Sequence, residues 1–312
     1  MKFLLLGANG QVGFELQRSL APLGELVAAS RSGVLPGAIA CLQADLADQD
    51  SLARALDSDA FDVVVNAAAY TAVDRAEDES ALAQRINGAA LAQIGAWAAS
   101  RDALVVHYST DYVFDGTGAR PYREDDATAP VSAYGRSKLA GEVALRDAGC
   151  DHLILRTAWV YGARGGNFLR TMLRVARDRD RLTVVDDQHG APTSSRLIAS
   201  TTAVALARAL AMPRREREAP LGTFHVAAAG QTTWCAFARA IFERASRAGI
   251  IERAPEVVAI GSADYPTKAR RPKYSVLDCA RLRERFALSM PGWEAGLDAV
   301  IGEMSENRRC GE

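Results

Sequence analysis

The segment Lys2 to Leu20, KFLLLGANGQVGFELQRSL, restricts what this chain can fold into more than any other. An apolar run leads into glycines at 7, 10 and 13 and then into helical periodicity. Glycine permits the tight turn between a buried strand and a helix, and it lets backbone N–H groups approach a ligand at the positive helix end. The spacing is GxxGxxG rather than GxGxxG. A glycine triplet alone is a weak signal; its context at the first strand of an alternating chain gives it weight.

That alternation continues. Apolar runs near 2–6, 26–29, 39–42, 61–66, 103–108 and 152–157 are rich in Val, Leu and Ile and lack polar alternation, as expected of parallel strands covered on both faces. Helical patterns fill 11–21, 48–57, 77–100 and 132–147. The order predicts an α/β fold, a Rossmann-type doubly wound parallel sheet. After about 160 the rhythm changes: helical stretches near 166–179, 194–211 and 233–248 surround short strands near 182–186 and 222–227, and 213–220 reads as an exposed charged loop. The expected division is a cofactor-binding domain over 1–160 and a smaller, mainly substrate-binding C-terminal domain over 161–312, with segments within about 190–227 returning to the first.

Other partners are disfavoured by composition. With 37 basic and 38 acidic side chains the net charge is -1, which gives no field for nucleic acid or an anionic membrane. No apolar run approaches the roughly 20 residues of a membrane span. Met1–Leu6 is too brief for a secretory core and reads as a first strand. Cys41, Cys150, Cys235, Cys279 and Cys310 are scattered without paired spacing, which suits free thiols in a reducing, cytoplasmic setting.

Residues at the strand ends supply the candidate site. Ser30 and Arg31 close the second strand where a carboxylate would grip a ribose 2′-hydroxyl; an arginine there accommodates a 2′-phosphate, so NADPH is expected over NADH, with NADH usable. Asp45 and Leu46 follow the third strand and could flank adenine, and Ala67, Ala68 and Ala69 leave room for close approach of a cofactor. Tyr134 and Lys138 form YxxxK near a helix start. Side chains at i and i+4 share a face, and an ammonium beside a phenol makes proton exchange with a carbonyl feasible. Thr110, at the end of the preceding strand, can bond the same carbonyl or tune the tyrosine.

The stretches GANGQVG, NAAAYTAVDRAE, HYSTDYVFDG, YGRSK and RTAWVYG together resemble the extended short-chain dehydrogenase/reductase superfamily, and within it the dTDP-4-dehydrorhamnose reductases. The likeness runs through DDQHGAPTS, the TTW at 232–234 and YPTKARRP, covering nearly the whole chain. It implies reduction of the C4 keto group of a dTDP-linked 6-deoxy sugar. Gly10, Gln11 and Val12 would meet the cofactor diphosphate, Tyr134 and Lys138 its nicotinamide ribose, and Thr110, Asp111 and Trp159 the sugar. Two departures stand out. Ser30 occupies a position sometimes acidic, and the acidic ligands through which some members bind Mg²⁺ at a dimer interface have no secure counterpart. A homodimer is among the implied assemblies.

Asp186-Asp187 is read as a loop pair, since no third ligand is placed, and His107, His152, His189 and His225 form no metal-ligand spacing. His107 and His225 read as packed histidines in strands, and 177–181 as a solvated helix end. Trp159 serves either sugar stacking or core packing, and Arg270-Arg271 is a candidate for the substrate diphosphate. A 4,6-dehydratase would need a second acid where Tyr112 follows Asp111. A 4-epimerase would retain its oxidised cofactor, and a regulatory subunit would bind cofactor without turnover.

Overall fold

The structure is a computed structural model that describes residues 1–212 and 221–309; the charged loop expected at 213–220, and Cys310, lie outside the described residues. Seven strands form the central sheet: β1 (Lys2–Leu6), β2 (Glu25–Ser30), β3 (Leu42–Gln43), β4 (Val63–Asn66), β5 (Leu104–Thr110), β6 (His152–Thr157) and β7 (Gly222–His225). Their order is 3-2-1-4-5-6-7 and every pairing is parallel.

The unbroken apolar runs follow from coverage of both faces. Phe3 and Leu5 of β1 join one cluster, whereas Leu4 and Leu6 join another. The first cluster includes Leu16 and Leu20 of α1 (Gln11–Leu20). The second draws on Leu52 and Leu56 of α2 (Gln49–Leu56) and on Leu91 and Ile94 of α3 (Ala90–Arg101). Helix α4 (Ala133–Asp147) contributes Leu145 to that second cluster. A third cluster gathers Leu169 of α5 (Phe168–Val175) with Phe237 and Ile241 of α7 (Trp234–Arg247) and Leu297 of α9 (Trp293–Arg309). Between them in sequence, α6 (Ser195–Ala211) packs Ile198 and Leu206 into the first cluster, as α8 (Ala280–Phe286) does with Leu282.

Several elements differ from expectation. The run at 39–42 is split: Ile39–Ala40 pairs with Val34–Leu35 in a small hairpin, and the sheet strand is Leu42–Gln43. A two-residue edge strand demands little apolar sequence, so the signal for its position is weak. The helix expected over 77–100 is interrupted by a π turn at Arg85–Ala89. There the side chain of Asn87 accepts from Tyr70 N–H at 2.9 Å and donates to Tyr70 C=O at 3.0 Å and Ser137 Oγ at 2.9 Å. Helix α5 ends at Val175, so 177–181 is an exposed turn leading into the strand Arg181–Val185. That strand pairs in parallel with Glu256–Ile260, which the sequence did not predict.

Candidate functional site

Parallel order places the ends of β1, β2, β4, β5 and β6 along one sheet edge, where such folds bind ligands. Gly7, Ser30, Asn66, Thr110 and Thr157 all stand there. At Gly7 the backbone is left-handed, with φ +77°, and a Cβ would lie 2.6 Å from Ala68 N. At Gly13 a Cβ would lie 2.1 Å from the Gly7 carbonyl oxygen, so helix and turn close only without a side chain. The N-terminus of α1 has no side-chain cap and no acidic residue in its first turn. Its first N–H groups therefore remain open to a ligand, with Gln11 and Val12 just beyond the Gly10 cap position. This is a cradle that fits a pyrophosphate.

Gln11 reaches the other way. Its Nε2 donates to Gly166 O at 3.3 Å, and Asn167 Nδ2 donates to its Oε1 at 2.9 Å. The Arg164 guanidinium lies 4.4 Å above the Phe14 ring. The loop before α5 is thus tied to the start of α1.

At the second strand the two candidates separate. Ser30 is fully buried, donates to Val34 O at 3.0 Å and accepts from Val34 N–H at 3.1 Å. Its hydroxyl therefore holds the hairpin turn, and the expected hydrogen bond to a 2′-phosphate has no free donor there. Arg31 is exposed. Asp45 accepts from Ala47 N–H at 2.9 Å and Leu46 is buried. Ala67, Ala68 and Ala69 are half-buried beyond β4, with Ala68 N–H donating to Asn66 Oδ1 at 3.1 Å.

Ser132 starts α4 by accepting from Gly135 N–H at 3.1 Å, which brings Tyr134 into the first turn. Tyr134 meets the Tyr112 ring edge-on, with centroids 5.6 Å apart. Burial raises its phenol above the ordinary value, and the neighbouring Thr110 hydroxyl works in the opposite direction. Thr110 also donates to Asp111 Oδ1 at 2.9 Å. The Asp111 carboxyl is buried, its Oδ2 has no hydrogen-bond partner, and its pKa is pushed up to about 6 by burial, against the hydrogen bond from Thr110. An unpaired buried carboxylate oxygen at a strand end is an open acceptor for a ligand hydroxyl.

Lys138 is also buried, and burial lowers its pKa to about 7. Its Nζ donates to Tyr108 O at 2.6 Å and lies 3.2 Å from His107 Nε2. The amino group therefore addresses β5, with no hydrogen bond to the phenol one turn before it, in contrast to the direct pairing expected from YxxxK.

Trp159 holds a left-handed backbone with φ +47°, a strained conformation for a bulky residue. Its ring is half-buried and stacks on Trp234 with centroids 3.5 Å apart and planes 4° from parallel. Gly190 allows the approach, since a Cβ there would come within 2.4 Å of the indole. One face of Trp159 is thus occupied by protein.

A cavity of about 780 Å³ is lined by Arg270, Arg271, Lys268, Lys273 and Tyr274 among others. Arg271 donates to Asp74 Oδ2 at 2.8 Å while its buried Nε has no partner, and Arg270 is exposed. The Arg271 charge also acts on the phenol of Tyr112, next to Asp111. Asp187 accepts from Ser262 N–H at 2.9 Å, and Asp186 accepts from the Thr233 hydroxyl, so both carboxylates hold loops together. Among the described residues no cluster of three or more His, Cys, Asp or Glu could hold a metal, and no helix is long and apolar enough to cross a membrane.

Residues 1–306 match the family model described as the RmlD substrate binding domain. A dTDP-4-dehydrorhamnose reductase of Burkholderia thailandensis is 48% identical over 97% of this chain and 99% of its own. The Escherichia coli K12 enzyme of that name is 44% identical, covering 97% and 98%. Among solved structures, a dTDP-4-dehydrorhamnose reductase of Clostridium acetobutylicum superposes with a TM-score of 0.84 at 34% identity, covering 97% and 99%. The Bacillus anthracis reductase in complex with NADP gives 0.83 at 31%, again over 97% and 99%.

Proposed function

The chain belongs to the RmlD family of dTDP-4-dehydrorhamnose reductases, and from that premise we propose that it reduces the C4 keto group of dTDP-4-dehydro-β-L-rhamnose to dTDP-β-L-rhamnose. The observation that carries the reading is Tyr134, in the first turn of α4 and edge-on to Tyr112, beside the buried Thr110–Asp111 pair at the sheet edge that also presents the open N-terminus of α1. A reduced nicotinamide, when bound, supplies the hydride.

The chain's own residues do the rest. Gly7, Gly10, Gln11, Val12 and Gly13 form the cradle for the cofactor diphosphate. Ala67, Ala68 and Ala69 border it, and Asp45 and Leu46 flank the adenine. Tyr134 gives its proton to the carbonyl oxygen, breaking its own O–H bond as the sugar hydroxyl forms. Thr110 polarises the carbonyl by turning its one hydroxyl hydrogen from Asp111 to the ligand oxygen. Asp111 accepts from a sugar hydroxyl through its unpartnered oxygen. Lys138 binds the nicotinamide ribose and, without a direct bond to the phenol, stabilises the phenolate through its charge as it develops. Trp159, its backbone strained and one face backed by Trp234, forms a wall of the sugar pocket. Arg270 and Arg271 line the cavity that takes the nucleotide diphosphate. On this reading the residues after about 160 bind mainly the sugar nucleotide.

NADPH is the preferred cofactor, on the strength of Arg31, and NADH remains usable. The test is incubation with dTDP-4-dehydrorhamnose and NADPH, with and without Mg²⁺, following nicotinamide absorbance and identifying the sugar. Cofactor oxidation without a dTDP-rhamnose product would overturn the reading. Light scattering tests the homodimer, and cell fractionation tests a cytoplasmic location.

A further inference from the structure

Behind the proposed catalytic pair lies a buried polar chain that the mechanism above leaves unused. His107 of β5 is fully buried, with Asn66 of β4 as its register neighbour. Asn66 Nδ2 is 3.2 Å from His107 Nδ1, and His107 Nε2 is 3.2 Å from Lys138 Nζ.

Donors and acceptors in this chain can be assigned from one end. Asn66 Oδ1 accepts from Ala68 N–H at 3.1 Å. A flipped amide would set two donors against each other there, so Nδ2 must face the histidine. Because an amide nitrogen only donates, His107 Nδ1 accepts, and the proton of the neutral ring resides on Nε2. That N–H points at Lys138. An ammonium has three donors and no acceptor, so a charged Lys138 meets the histidine donor to donor. A neutral amine accepts from Nε2–H with its lone pair, and one of its own hydrogens still reaches Tyr108 O, 2.6 Å away.

We propose that His107 is a positioning residue that biases Lys138 toward the neutral amine in the free enzyme, so that cofactor binding is coupled to proton uptake by Lys138. This rests on the role given to Lys138 above: the cofactor site must be filled by a charged lysine for the phenolate to be stabilised. Loss of water around the buried groups acts in the same direction, lowering Lys138 to about 7 and His107 well below its ordinary value. The other charged group facing Lys138 is Glu142, one turn along α4, which favours the ammonium. Glu142 is itself neutralised by Arg156 from β6 and Arg146. The π turn at Arg85–Ala89 brings Asn87 onto Ser137 of α4, and neither is charged.

Calorimetric titration of the whole protein with NADPH, in buffers of different ionisation enthalpy, counts the protons taken up. Wild type should take up a proton when titrated above neutral pH, and its Kd should rise about tenfold per pH unit above the free-enzyme pKa of Lys138. Asn66→Asp is nearly isosteric and reverses the tautomer: a carboxylate accepts from Nδ1–H, which frees Nε2 to accept from the ammonium. It should remove the uptake near neutral pH and move the rise in Kd upward by about one pH unit or more. His107→Phe, which removes the facing donor without adding a charge, should move both readouts in the same direction. A wild type that binds NADPH without proton uptake, or variants that fold and leave both readouts unchanged, would overturn the proposal. Lys138→Met separates the two readings. If it turned over normally, the role of Lys138 would fail; if it were inactive while Asn66→Asp changed nothing, only the coupling would fail.

Discussion

On α4, Lys138 and Glu142 stand one turn apart and both are buried, yet their surroundings treat them differently. Glu142 receives Arg156 Nε at 2.8 Å and Nη2 at 2.7 Å, a fork that answers both carboxylate oxygens. Burial would raise the carboxyl, but the Arg156 hydrogen bonds and charge leave it below its ordinary value. Lys138 has a carbonyl and a histidine edge but no carboxylate at bonding distance, and its pKa is lowered. Nearby, Asp111 keeps one oxygen without a partner. A buried charge answered by the protein serves the fold, whereas one left partly unanswered has capacity for a ligand. The difference separates the structural half of α4 from its reactive half.

The sharpest way to break this comparison is Tyr134→Phe. The ring and its contact with Tyr112 are kept while the donated proton is lost, so activity should fall by about 10²–10⁴-fold. Melting temperature and NADPH affinity should stay close to wild type. Turnover near wild type would remove the tyrosine from the reaction.

Glu142→Ala should act in the opposite manner. It leaves Arg156, which is 3% exposed, without its counter-charge, and breaking a buried pair from one side costs about 3–5 kcal/mol. Denaturant midpoints should drop accordingly, while kcat of the protein that remains folded, measured at saturating NADPH, changes little. A loss of kcat with stability intact would show that the ion pair belongs to the reactive half after all.

Asp111→Asn sharpens the distinction, because a carboxyl held for a ligand should burden the fold. The folded pKa of about 6 exceeds the ordinary 3.8, so the unfolded chain releases this proton first as pH rises. The burden therefore grows between those two values and is complete above the higher. Asparagine removes it, which should raise stability at neutral pH by up to about 3 kcal/mol, with no gain below the lower value. Sugar affinity should weaken in the same variant. Urea melts at acidic and neutral pH, with KM for the sugar nucleotide, test both halves of the trade.

The two halves of α4 were not equally legible in the sequence. Tyr134 and Lys138 announce themselves by spacing, and Thr110 by its place after an apolar strand. The partners that decide what each residue does lie far along the chain: Ser137 and Asn87 are 50 residues apart, and Lys138 and His107 are 31 apart. His107 therefore read as a packed strand histidine, because only the fold reveals that its two nitrogens face Asn66 and Lys138. The apolar strands were legible wherever both faces are buried. Glu256–Ile260, with no fully buried residue, and the two-residue β3 were missed or misplaced for want of that signal. Ser30 shows a third case, in which the place at the strand end was legible and the direction of the hydroxyl was not.

That correction at Ser30 sets the smallest expected effect, which concerns the choice of nicotinamide at the outer end of the cofactor cradle. The second strand ends without a carboxylate, so nothing there repels a 2′-phosphate. Arg31 is exposed beside that end and carries no ion pair among the described residues. Ser30 is fully buried and bonded to both backbone groups of Val34, so on the proposed reading discrimination rests on the arginine. A guanidinium–phosphate contact in solvent is screened, and an exposed pair is worth little next to a buried one. The expected preference for NADPH is accordingly modest, roughly three- to tenfold in kcat/KM, and shrinks as salt is raised. Arg31→Ala should remove it by raising KM for NADPH while leaving NADH unchanged. Ser30→Asp is a poor route to NADH specificity, since it would bury a charge and break the turn at Val34, so its first effect should be lost stability. Arg31→Asp places the carboxylate where solvent can reach it and should reverse the preference without that loss. Equal effects of Arg31→Ala on both cofactors would move discrimination away from the second strand altogether.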